Sequence, residues 1–103
     1  MTDLNREGFR EAASKGMPLV VDFWAGWCMP CRVYAPVVEE AADDLDGKAD
    51  FGKVNIDDQR ELALEYDIMS IPTLVVFKGG EEMERLVGVR KKEEIIEAVN
   101  RHL

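Results

Sequence analysis

Apolar and polar positions divide the 103-residue chain into a succession of short elements. Leu4-Asn5 followed by Phe9 predicts a helix start, with Asn5 as N-cap, Leu4 folded back on Phe9, and an end near Gly16. Pro18 then precedes Leu19-Val20-Val21-Asp22-Phe23-Trp24-Ala25, an apolar run of strand length broken only by Asp22. Such a run predicts a strand covered on both faces, at the centre of a sheet. Over residues 33–45, Tyr34, Val37, Val38, Ala41 and Leu45 recur at helical spacing before Gly47, with a kink expected at Pro36. Residues 51–56 alternate as a second strand, with Gly52, Val54 and Ile56 on one face and Lys53 and Asn55 on the other. Asp57 or Asp58 is expected to cap a short helix carrying Leu62, Ala63 and Tyr66.

Strand, helix and strand at this spacing form a βαβ unit, so the first two long strands should be parallel and joined by a right-handed crossover. Beyond Pro72 the pattern changes. Residues 73–77, the Lys78-Gly79-Gly80 turn and residues 83–89 predict an antiparallel hairpin. A last helix over 91–102 would offer Ile95, Ile96, Val99 and Leu103 to the sheet. Arg90, Lys91 and Lys92 oppose the helix dipole at its start, and Glu93 and Glu94 offset them. With no repeat or linker, residues 1–103 read as one α/β domain, a mixed sheet of four good strands flanked by helices on both faces.

Composition narrows the functional classes. With 47% hydrophobic and 33% charged residues the chain is globular, and no apolar run approaches the ~20 residues of a bilayer span. Its first residues lack the basic-then-apolar pattern of an export signal, so a cytoplasmic location is expected. A net charge of −8 repels phosphate backbones and anionic lipid headgroups, which argues against nucleic-acid and membrane partners. The two cysteines are not needed as a structural staple in a chain of this length, so their use lies in their spacing.

Cys28-Met29-Pro30-Cys31 falls between the end of the central strand and the start of the Pro36 helix, at the carboxyl edge where open sheets place their sites. With Cys28 as N-cap, Cys31 is N3, whose N–H is the donor an N-cap side chain accepts from, and Pro30 has no N–H to compete. Free amides and the helix dipole favour a thiolate at Cys28. Cysteines three apart in a first turn also approach the geometry of an unstrained disulfide. A CxxC is also half of a zinc site, but there is no second pair and the sole histidine is His102, so no metal and no bound cofactor is expected.

Val21-Asp22-Phe23-Trp24-Ala25-Gly26-Trp27-Cys28-Met29-Pro30-Cys31-Arg32 resembles the active-site segment of the thioredoxin family. The likeness continues in order through Ala35-Pro36, Lys53-Val54-Asn55-Ile56-Asp57, Ile71-Pro72-Thr73-Leu74, Phe77-Lys78-Gly79-Gly80 and Gly88. It implies a thioredoxin fold and dithiol exchange through Cys28 and Cys31, reducing disulfides in target proteins. Electrons would come from a separate thioredoxin reductase, and the protein would act as a monomer. By the same resemblance Asp22, directly or through water, takes the proton from Cys31 as that thiol resolves the mixed disulfide. Taken alone, a carboxylate in an apolar strand reads either as a structural ion pair or as a group whose raised pKa makes it a proton acceptor. Lys53, on the adjacent strand, either tunes Asp22 or is simply solvated. Pro72 is cis in the family and faces the dithiol, so that Ile71 presents its backbone to an extended substrate segment. Trp27, Met29, Pro30, Ile71, Pro72 and Gly88 are the expected substrate-binding residues, joined by Met69 and Val87 on the rim, whereas Trp24 reads as core. Met29 and Ser70 stand where the family commonly has glycine, and residues 2–4 leave at most a stub of the family's first strand. Two other uses of this framework stay open: an oxidase or isomerase that donates disulfides, and a binding module in which the thiols are incidental.

Overall fold

A computed structural model describes all residues, 1–103, as a five-stranded mixed sheet with four helices. In chain order these are β1 (Thr2–Asp3), α1 (Arg6–Ala13), β2 (Leu19–Trp24), α2 (Met29–Asp44), β3 (Asp50–Asn55), α3 (Arg60–Glu65), β4 (Thr73–Lys78), β5 (Glu81–Val87) and α4 (Lys92–Asn100). The strand order is β1-β3-β2-β4-β5. β2 pairs in parallel with β3 and antiparallel with β4, while β1 is the expected two-residue stub on the outer edge of β3.

β2 is central because both of its faces are apolar, and its alternating residues feed two separate cores. Val20, with Leu74 and Val76 of β4, packs under Tyr34 and Val38 of α2 and Ile95 and Val99 of α4. Val21 and Phe23, with Val75 and Phe77, pack against Phe9 of α1 and Leu62 of α3. Helices therefore cover both faces, and Asp22, in phase with Val20, falls on the side of α2.

Local chemistry fixes the ends. Asn5 Oδ1 accepts the Gly8 N–H at 2.8 Å, and Leu4 shares a core with Phe9, as a capped and stapled helix start requires. Leu4 crosses directly over Gly52, where a Cβ would come within 2.5 Å of Leu4 Cδ1.

Three expectations need correction. α3 is not capped by an aspartate: its N-cap is Gln59, which makes no side-chain cap bond. Asn55 Oδ1 instead accepts the N–H groups of Asp57 (2.9 Å) and Asp58 (3.4 Å), building the turn that an aspartate cap would have built. β5 starts at Glu81, two residues early, because the ladder continues through an irregularity between Val76 and Phe77. α4 stops at Asn100, which leaves Leu103 exposed rather than against the sheet. Its start gains one bond that charge alone did not indicate, from the Lys91 N–H to Glu94 Oε1 at 3.3 Å.

Candidate active site

β2 delivers the chain at its carboxyl end to Ala25, Gly26 and Trp27, and Cys28 opens α2. Cys28 is the N-cap, with φ −89° and ψ 104°, and its Sγ accepts the Cys31 N–H at 3.2 Å. Cys28 and Cys31 are joined as a disulfide with Cα atoms 5.3 Å apart, and both are buried. The aligned peptide dipoles of this 16-residue helix favour a negative charge on the Cys28 sulfur once the disulfide is opened.

The loop before β4 forms the opposite wall. The Ile71–Pro72 peptide bond is cis, and the Ile71 carbonyl oxygen is 4.0 Å from Cys28 Sγ. Ile71 also packs against the Ala25, Cys28 and Cys31 cluster. Gly88, at φ +86°, donates its N–H to the Pro72 carbonyl at 2.8 Å, so it holds the proline loop from behind. Trp27 is 70% exposed and Met69 92%, and Met29, Pro30 and Val87 are exposed as well. Trp27 Nε1 donates to Asp57 Oδ2 at 2.9 Å. No local pattern brings that carboxylate to the site; the contact spans thirty residues of chain.

Behind the dithiol lies Asp22, 4% exposed, with Oδ1 buried and unpartnered. Burial pushes its carboxyl up to about 7, and the positive charge of Lys53 pulls back more weakly. Asp22, Cys31, Lys53 and Glu39 line one cavity of about 230 Å³. Lys53 sits opposite Asp22 in the ladder, but its ammonium lies 3.8 Å from the Asp3 carboxylate and 5.1 Å from the centre of the Trp24 ring. Trp24 is only partly buried, and its Nε1 has no partner. No three His, Cys, Asp or Glu side chains come together as metal ligands.

A disulfide at a helix N-terminus, walled by a cis-proline loop and backed by a carboxyl that titrates near neutrality, defines a thiol–disulfide oxidoreductase. The family model "Thioredoxin" matches residues 1–101. The chain is 48% identical over 103 residues to a thioredoxin of Staphylococcus haemolyticus, covering 100% of this chain and 95% of that one. It is 51% identical over 84 residues to one of Staphylococcus epidermidis, covering 82% and 81%. Fasciola hepatica thioredoxin superposes with a TM-score of 0.90 at 35% identity over 100% of both chains. A mutant thioredoxin from Halobacterium salinarum superposes at 0.88 and 29% identity, covering 98% of this chain and 90% of that one. The chain belongs to the thioredoxin family.

Proposed function

We propose that the protein reduces disulfides in other proteins, with Cys28 as nucleophile and Cys31 as resolving thiol. The Cys28 thiolate attacks one sulfur of a substrate disulfide, giving a mixed disulfide and releasing the other sulfur as thiolate. Asp22 accepts the Cys31 proton across the shared cavity, and the Cys31 thiolate attacks Cys28. The second substrate thiolate leaves, and Cys28–Cys31 is left oxidised, two electrons having passed to the substrate. Lys53 keeps the Asp22 pKa from rising further. The substrate lies as an extended segment against the Ile71 backbone and Pro72, with Trp27, Met29, Pro30 and Met69 as an apolar rim. Gly88 serves this surface indirectly, through Pro72.

The carrying observation is Cys28 Sγ placed between the Cys31 N–H and the Ile71 carbonyl. A separate thioredoxin reductase then restores the dithiol, and a reducing compartment such as the cytoplasm suits this direction of flow. All the residues lie in one chain, so a monomer suffices, and no helix is long and apolar enough to cross a membrane. Dithiothreitol-driven reduction of a disulfide-bonded model protein, with the Cys28–Cys31 potential measured alongside, tests the reading. Fast reduction and a strongly reducing potential are expected; a potential at the strongly oxidising end would make the protein a disulfide donor.

A further inference from the structure

The segment from the end of α3 to Pro72 carries Met69, Ile71 and Pro72 past the Cys28 sulfur, and its backbone is fixed at both ends. At the far end Gly88 holds Pro72, and Thr73 Oγ1 donates to the Ser70 carbonyl at 2.8 Å. At the near end α3 closes with two reversed bonds, Asp67 N–H to Leu64 O (3.1 Å) and Ile68 N–H to Ala63 O (3.0 Å). Asp67 adopts φ +51°, the left-handed conformation that this ending needs and that favours glycine or asparagine. Those bonds leave the Tyr66 and Asp67 carbonyls pointing off the helix end, and both are taken by one side chain from a distant strand. Arg85 of β5 donates through Nη2 to Tyr66 O at 2.7 Å and through Nη1 to Asp67 O at 3.4 Å. Its guanidinium is itself held by Glu82, with Nε and Nη2 each 2.7 Å from a carboxylate oxygen.

We propose that Arg85, aimed by Glu82, is a positioning residue for protein substrates: it clamps the end of α3 so that the segment leading to Ile71 meets Cys28 at a fixed distance. The inference rests on the proposed role of Ile71 as docking backbone. A planar fork with several donors can serve two carbonyls and a carboxylate at once, which an ammonium cannot do in the same geometry. Docking by backbone pairing tolerates little displacement of the paired strand, whereas a small disulfide reaching only the sulfur is indifferent to it.

Wild type, Arg85→Met, Arg85→Lys and Glu82→Gln are compared on a protein disulfide and on a small aromatic disulfide, and amide exchange is followed at Asp67 and Ile68. In Arg85→Met, KM for the protein disulfide should rise about fivefold, the factor expected when the net contribution of one hydrogen bond is lost. Its kcat and the small-disulfide rate should be unchanged. Exchange at Asp67 and Ile68 should quicken while Val20 and Val76 keep their protection. Arg85→Lys and Glu82→Gln should fall between wild type and Arg85→Met. An unchanged KM, or an equal loss on both disulfides, overturns the clamp. If the wild type does not reduce the protein disulfide, the proposed function fails instead, and the exchange rates alone then judge the clamp: unchanged protection in Arg85→Met overturns it.

Discussion

Asp22 and Lys53 face each other across parallel strands, yet they form no ion pair: Lys53 turns to Asp3 and the Trp24 ring, and Asp22 Oδ1 is left buried and unpartnered. The lysine is close enough to act through its field but not to neutralise the carboxylate. That arrangement supports the proton-accepting role proposed for Asp22.

Stability should therefore depend on pH in a definite direction. The folded protein keeps the Asp22 proton up to about 7, whereas the unfolded chain loses it near 3.8. Between these values the folded state binds more protons, so the Asp22 contribution is most favourable below about 4 and declines until about 7. The full span is on the order of 4 kcal/mol. Asp22→Asn removes this slope, so the mutant should gain on wild type as pH rises, and its turnover near neutral pH should slow. Urea unfolding of the oxidised proteins at pH 5 and pH 8 checks it; equal differences at the two pH values would mean that Asp22 is not a buried, uncompensated acid.

Cys31→Ser should leave Cys28 able to attack but unable to be released, so substrate proteins should accumulate as covalent adducts. Mass spectrometry of the trapped species reads the order of attack. Equal yields from the wild type, or adducts on Cys31 in the Cys28→Ser protein, would reverse the assigned roles.

Met29 lies at N1 of α2, exposed beside Cys28. Methionine suits a helix better than glycine by up to ~1 kcal/mol, but the first turn exists in dithiol and disulfide alike, so most of that difference cancels. Met29→Gly should shift the potential by less than about 30 mV. Reaction with bulky protein disulfides should weaken more than reaction with small ones, because the thioether supplies adaptable contact area. Equal changes in the two rates would place Met29 in the sulfur chemistry itself.

Gly52→Ala should cost about 1–3 kcal/mol, since the added methyl would meet the buried Leu4 side chain and, at 3.3 Å, the Thr2 carbonyl. Gly26→Ala, which meets nothing within 4 Å, should stay within about 0.5 kcal/mol of wild type. Thermal unfolding of both separates steric crowding at β3 from a general intolerance of glycine replacement. Similar losses in the two variants would refute the close approach of Leu4.

Features that depend on near neighbours follow from the chain alone. The apolar run of 19–25 marked the central strand, Asn5 and Leu4 marked the start of α1, and the CxxC after a strand marked Cys28 as an N-cap with Cys31 at N3. Periodicity, capping and motif spacing act within a few residues, so they are legible in one dimension. The remaining expected site residues, Pro72 and Gly88 among them, follow from the family resemblance and not from local pattern. Tertiary structure alone decided the partners across long separations. Asp57 bonds Trp27 instead of capping α3, Lys53 prefers Asp3 to Asp22, and Arg85 reaches the end of α3 from β5. A charged side chain is compatible with many partners, and which one it meets is set by the register of β2, β3 and β5 and by how deeply each group is buried. Those are properties of the packed sheet, fixed only when the two cores close on either side of it.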